Sequence, residues 1–467
     1  MFVASHRFLP LEVLRVPHRI EDGDADGPVG FARLAPETGG GRGALFWPRP
    51  DDEGLAGQVP GRHELAGIPL FARILDADLL AGALPPGWQR DPVAGDAPVS
   101  IWRHEDGSIL LPFDPGEAIT QLWSEAYLAA LGDEHGPSPS ARAYYRVRPV
   151  LPRRMQIALR RSYARIQARR EFPRWPAEPA LHDLLGLVHG WLTEVAGGPV
   201  PWLSPWPDGY AWAVVLTHDV EMPAGQARIG VMRGIERELG HRSSWNFPAL
   251  RYPVDEARVA ELRQEGCEIG VHGAYHDGRD LESLPMLEER LPAMQAAAAR
   301  WGAEGFRSPA TQRSWALMPR LGFAYDSSSP DSDPYEPQPG GCCSWWPFFN
   351  GDLVELPITM PQDHTLFIIL RRDGEKAWLE KARAIRERSG MALLLTHPDY
   401  LGTPEAAEPY RRTLATLGQD PTAWWALPRE VAAWWRRRAE SIPERDGEGW
   451  RVAGPAAGEA AVRLDAP

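Results

Sequence analysis

Cysteine is scarce in this chain of 467 residues, with Cys267, Cys342 and Cys343 the whole supply. An odd number, two of them adjacent, makes neither a disulfide framework nor a paired-thiol metal site, so we read them as reduced structural thiols. Long apolar runs are missing as well. No stretch approaches the roughly 20 apolar residues of a membrane span, and the opening "MFVASHRFLPLEVLRVPHRI" lacks the apolar core of a secretory signal. Both observations predict a cytoplasmic protein without a membrane partner. Basic charge is also short. The 50 Lys and Arg face 63 Asp and Glu, a formal net charge of −13, which speaks against a general nucleic-acid binder. Nothing in the composition sets the oligomeric state.

What is present changes character near residue 205. Residues 1–205 are irregular and rich in Gly and Pro ("APETGGGRGALFWPRPDDEG"), with short strand-like runs and one helical stretch, "PGEAITQLWSEAYLAAL". This reads as an N-terminal α+β accessory domain, followed by a regular domain over 206–440 and a tail over 441–467. Late in the first region lies the arginine-dense "ARAYYRVRPVLPRRMQIALRRSYARIQARREFPRWP". Its arginines could form an anion-binding surface. Met155, Leu159, Tyr163 and Ile166 share one helical face, however, and favour a basic helix that docks the accessory domain on an acidic body.

From residue 206 onward one unit recurs: a helical period, a glycine stop, then a short apolar strand ending in polar residues. Ile229, Met232, Ile235 and Leu239 stop at Gly240 before "SSWNF"; Val259 and Leu262 precede Gly266 and "CEIGVH". Leu284, Leu287, Leu291 and Met294 lead to Gly302 and "GFRSP"; Trp315 and Met318 lead to Gly322 and "FAYDSS"; Trp378, Ala382 and Ile385 lead to Gly390 and "MALLLTH". Strands alternating with helices imply parallel βα units. Together with "AWAVVLTHDVE", these strands end in ionisable residues on one side of a parallel barrel, the end where α/β barrels build their active sites.

Within "HGAYH", His272 and His276 stand four apart at a strand exit. With one carboxylate from another strand end they supply three protein ligands to an open, zinc-like site.

In order, "THDVE", "HGAYH", "RSP" and "LTH" resemble the motifs of the polysaccharide deacetylases, the broad group that includes carbohydrate esterase family 4, over roughly residues 206 to 440. The resemblance implies a distorted (β/α)7 barrel of the glycoside hydrolase/deacetylase type and a hydrolase that removes acetyl groups from an N-acetylated sugar or glycoconjugate precursor with a divalent metal, Zn2+ first among candidates. It assigns Asp219 as general base, His397 as general acid and Arg307 as the cation that keeps Asp219 ionised. His272 and His276 become metal ligands. Where the common pattern has a second aspartate this chain has Val220, and strand alternation turns Glu221 to the same side as Asp219, so Glu221 takes the vacant ligand position and His218 faces the other way. Tyr275, Pro309 and Trp345 are the expected substrate contacts. Two alternatives remain on the same fold: a metal-independent amidase of the cyclic ureide or imide type, and an inactive carbohydrate-binding protein.

The stretch "YDSSSPDSDPYEPQPGGCCSWWPFFNGDLVELPITMPQDH" reads as a long loop over the site, with Trp345 and Trp346 placed to stack on a sugar. Asp326, Asp331, Asp333 and Asp363 all stand as candidate partners for His397.

Overall fold

The computed structural model describes residues 8–21, 31–36, 43–49, 53–92, 99–132 and 152–467. The first part of the arginine-rich segment, 141–151, lies outside them. The chain divides into two compact units, neither of them one continuous stretch.

One unit comprises residues 134–178 and 209–436. Its strands are β1 (Trp212–Asp219), β2 (Ser244–Phe247), β3 (Glu268–Val271), β4 (Gly305–Phe306), β5 (Tyr325–Asp326), β6 (Leu353–Glu355) and β7 (Met391–Thr396). They lie in the order β6-β5-β4-β3-β2-β1-β7, each parallel to its neighbour. Met360, just after β6, donates its backbone N–H to Leu393 O of β7, which brings the two ends of the curled sheet together as a distorted (β/α)7 barrel. The strand Ala423–Ala426 also runs parallel to β1.

The period-2 alternation of β1 sorts its side chains. Trp212, Val214, Leu216 and Val220 join the core between sheet and helices, while Thr217 and Asp219 have the opposite parity. The helices follow the expected rhythm: α1 (Ile229–Leu239), α2 (Glu256–Gln264), α3 (Leu284–Trp301) and α4 (Gly374–Glu387). Gly240 and Gly302 end α1 and α3 in the left-handed conformation, at φ 79° and 64°, which glycine adopts without a Cβ clash. Before β5, by contrast, Trp315 and Met318 lead only to a short 3₁₀ turn, Met318–Leu321.

Two expectations for this unit are corrected. The stretch 326–363 is not one long loop. It contains β6 and its antiparallel partner Phe348–Asn350, strands of three residues, too short to show an apolar period, joined through Gly351 at φ 63°. The helix Arg153–Gln167 does not dock through Met155, Leu159 and Ile166, which are all exposed. Its buried Ala164 packs with Tyr335 and Ile369, and Arg160 and Arg161 donate to the carbonyls of Tyr335 and Ile368. Arginine reach, rather than the apolar stripe, chooses the docking face, and the helix packs within the barrel's own unit.

The other unit holds residues 2–133, 179–208 and 437–467. A six-stranded sheet (His18–Glu21, Phe31–Pro36, Leu45–Pro48, Ile109–Leu110, Ser100–His104, Trp88–Pro92) is antiparallel except where Leu45–Pro48 meets Ile109–Leu110. The helices Pro115–Trp123 and Ala180–Ala196 accompany it. The chain after residue 441 is structured here: Ile442–Asp446 pairs with Gly449–Ala453, and Val462–Arg463 with Trp202–Leu203. Buried Arg438 holds this unit's segments by donating to the carbonyls of Val13, Leu203 and Ser204.

Candidate active site

The C-terminal ends of the barrel strands bring Asp219, Glu221, His272, His276, Arg307 and His397 together. Asp219 closes β1 and Glu221 follows it, while Val220 between them turns into the core and donates its N–H to Asn246 O. His272 follows β3, His276 sits four residues on at φ 55°, Arg307 follows β4, and His397 follows β7.

Asp219 is held from two sides. Asn246 Nδ2 donates to its Oδ1 at 2.8 Å, and Arg307 Nη1 reaches the same oxygen at 3.3 Å. Arg307 is itself fixed by Thr217 Oγ1, Ser327 O and Ser327 Oγ, each at 2.7 Å. Burial acts to raise the Asp219 carboxyl, but His272, Arg307 and His397 outweigh it and hold it below its ordinary value.

Glu221 Oε1 lies 3.0 Å from His276 Nε2 and 3.7 Å from His397 Nε2, and its backbone N–H donates to Asp399 Oδ2 at 3.2 Å. Against the push of burial, His276, His397 and His272 hold the Glu221 carboxyl well below the usual carboxylate range. His272 Nδ1 donates to Arg307 O at 3.1 Å, a contact that fixes the tautomer with a bare Nε2. Burial lowers this imidazole to about 4, so it is neutral at physiological pH.

His397 forms a different kind of pair. Asp363 Oδ1 lies 2.7 Å from its Nδ1, and Asp363 Oδ2 accepts its backbone N–H at 2.8 Å. Burial opposes the imidazolium, yet Asp363, Glu221 and Asp219 raise it to about 10. Of the four aspartates that the sequence left open, Asp363 is the partner.

One ligand atom each from Glu221, His272 and His276 lies within 4.8 Å of the others. Zinc takes nitrogen and oxygen ligands at about 2.0–2.2 Å, so two ligands across one ion stand at most about 4.4 Å apart. Both imidazole Nε2 atoms are buried; that of His276 meets the Glu221 carboxylate at 3.0 Å, whereas that of His272 has no hydrogen bond, although buried polar atoms almost always have one. The donor set therefore fits a divalent metal. One contact works against it: Arg251 Nη1 lies 2.5 Å from His276 Nδ1, and a donor there puts the ring proton of a neutral imidazole on Nε2. Binding a metal through that nitrogen has to break the contact or displace the proton.

The expected substrate contacts separate. Tyr275 is exposed, with the Arg290 guanidinium 5.1 Å from its ring centre. Pro309 is buried under the Gly273 turn, where a Cβ on residue 273 would come within 2.7 Å of the proline ring. Trp345 is corrected: it is 1% exposed, belongs to the barrel core and donates from Nε1 to Asp331 Oδ2, so it has no face to stack on a sugar. Trp346 is buried too. Asn246 was missed, although a polar residue next to the end of "SSWNF" was a visible signal. A side chain at Gly270 would place its Cβ 2.0 Å from Asn246 Oδ1, so the glycine of "EIGV" makes room for it.

Two imidazoles and a carboxylate, an Asp–Arg pair and a His–Asp pair thus gather at the strand ends of a parallel α/β barrel, the end where such barrels build their active sites. Among solved structures, the chain is similar to a putative polysaccharide deacetylase from Mycobacterium smegmatis (23% identity, 52% of this chain, 96% of the other, TM-score 0.42). It is also similar to a probable polysaccharide deacetylase from Pseudomonas aeruginosa PAO1 (15%, 53% and 97%, 0.41) and to an allantoinase (13%, 50% and 93%, 0.41). No protein-family model matches the sequence, and no curated protein does.

Proposed function

We propose that this protein is a metal-dependent deacetylase acting on an N-acetylated sugar or glycoconjugate precursor. The observation that carries the reading is the buried, unbonded Nε2 of His272 gathered with His276 Nε2 and the Glu221 carboxylate, with Asp219 and His397 beside them. Hydrolysis of an acetamide needs an activated water, a polarised carbonyl and a proton for the departing amine. Glu221, His272 and His276 would hold a divalent metal, which when bound would lower the pKa of water and take up charge on a carbonyl oxygen. Asp219, kept ionised by Arg307, accepts a proton from the attacking water through its carboxylate. His397, kept protonated by Asp363, donates from Nε2 to the leaving nitrogen. The role of Arg307 is positional, since its donors are spent on Asp219, Thr217 and Ser327.

Acetate release from a panel of N-acetylated sugars, sugar nucleotides and glycan fragments, with and without a chelator, tests this. Release that stops on chelation and returns with added Zn2+ supports it. The contact from Arg251 to His276 favours a second reading, a metal-independent amidase of a cyclic ureide or imide. Chelator-resistant hydrolysis of such a compound, with no acetate released from the sugars, would establish that instead.

Among the described residues no helix is long and apolar enough to cross a membrane.

A further inference from the structure

Arg251 is an exposed residue that the chemistry above does not use, and its guanidinium clasps the two loops that carry the candidate metal ligands. Nη1 lies 2.5 Å from His276 Nδ1 and donates to His276 O at 3.0 Å. Nη2 lies 3.1 Å from the sulfur of Met222, the residue after Glu221. The backbone sets this up. Ala249 donates its N–H to Gly273 O at 2.9 Å and Leu250 donates to Ala274 O at 2.8 Å, so the loop after β2 runs alongside the loop after β3. His276 sits at φ 55°, a left-handed conformation that is unfavourable for a residue with a Cβ. Arg251 holds it there by its ring and its carbonyl together.

The two nitrogens of this imidazole meet opposite demands. Nε2 is gathered with His272 and with Glu221 Oε1, 3.0 Å away. A histidine that binds a metal through Nε2 carries its proton on Nδ1 and donates it to a carboxylate, a carbonyl or water. A guanidinium has only donors and no acceptor, so in that form two N–H groups would face each other across 2.5 Å. The ring contact and metal binding at Nε2 therefore exclude each other. The bond to His276 O does not depend on the ring proton, and an exposed side chain can turn away without opening the fold. We propose that Arg251 is a latch on the metal-free site: it holds His276 in place by the ring nitrogen, swings off that nitrogen when a divalent cation binds, and weakens metal affinity by the worth of the contact. The inference rests on the reading of Glu221, His272 and His276 as metal ligands. It differs in sign from a supporting role, because losing a support loosens the metal whereas losing a latch tightens it.

The test measures Zn2+ affinity of the full chain, stripped of metal, by competition with a chromophoric chelator at one pH. The proteins compared are the wild type, Arg251→Met, which keeps the length of the side chain without its donors, and His272→Ala as the baseline for binding elsewhere. We expect Arg251→Met to bind Zn2+ about tenfold more tightly than the wild type, the scale of one hydrogen bond to a charged group. A second readout follows Arg251 itself. Its labelling by phenylglyoxal, located by peptide mass spectrometry, should rise in the wild type when Zn2+ is added, as the guanidinium leaves the ring. Equal or weaker binding by Arg251→Met, with the wild type binding well above the His272→Ala baseline, would overturn the latch and leave the metal site standing. Labelling unchanged or lowered by Zn2+ would also overturn it, since the arginine would then not move. If the wild type and Arg251→Met both bind no more Zn2+ than His272→Ala, the metal reading itself fails and the latch falls with it.

Discussion

Two buried polar clusters grow from adjacent residues of one strand, and they differ in what they leave unfinished. His218 and Asp219 point to opposite sides of β1. On the helix side, His218 meets Glu236 Oε1 at 2.6 Å and Thr396 Oγ1 at 2.8 Å. Glu236 is completed by Ser243 and by the Tyr410 hydroxyl, so that cluster is closed on itself. On the barrel side, Asp219 belongs to a group in which His272 Nε2 has no hydrogen bond and Glu221 is crowded by histidines. Buried polar groups are tolerated when every member is satisfied. The closed cluster therefore reads as structure, and the open one as the place where the proposed metal and substrate would complete the bonding.

The largest expected effects fall on the open side and leave the fold alone. Asp219→Asn and His397→Asn, whose amide can still donate to Asp363, should each lower acetate release by about 10²- to 10⁴-fold, the range of general acid–base catalysis, with thermal unfolding close to wild type. A matching collapse in stability would place these residues with His218 instead. The closed side should behave in the opposite way. His218→Ala leaves the Glu236 carboxylate buried without its imidazole and should cost about 3–5 kcal/mol in denaturant unfolding.

A smaller effect tests the His397–Asp363 pair. Since that pairing raises His397 to about 10, its acid form persists through neutral pH, and activity should fall only as pH rises towards 10. Asp363→Asn removes the first of the raising charges and should move that alkaline limb to lower pH in a pH–rate profile. An unmoved limb would detach it from His397. The smallest effect concerns Trp345. As a core residue whose N–H bonds Asp331, it should lose about 1–2 kcal/mol of stability in Trp345→Phe, with KM for the sugar unchanged. A raised KM would restore its contact with substrate.

The sequence made much of the open site legible, because period-2 alternation and glycine stops report strand ends directly. "AWAVVLTHDVE" placed Asp219 and Glu221 on one side and Val220 in packing, and the structure shows that arrangement. The parts that stayed hidden depend on distance through space. Nothing local distinguishes Asp363 from three other aspartates until the chain folds it onto His397. Leu353–Glu355 is too brief to carry a period, so a barrel strand read as loop. The stripe of Met155, Leu159 and Ile166 looked like a docking face because apolar periodicity carries no information about how far arginines reach.

The central claim is that Glu221, His272 and His276 form a metal site. Metal content by elemental analysis of the wild-type protein and of His272→Ala, both dialysed after Zn2+ loading, tests it most directly. We predict near-stoichiometric metal in the wild type and loss of most of it in His272→Ala, with the variant still folded. Equal metal in the two proteins, or none in the wild type, would contradict the assignment.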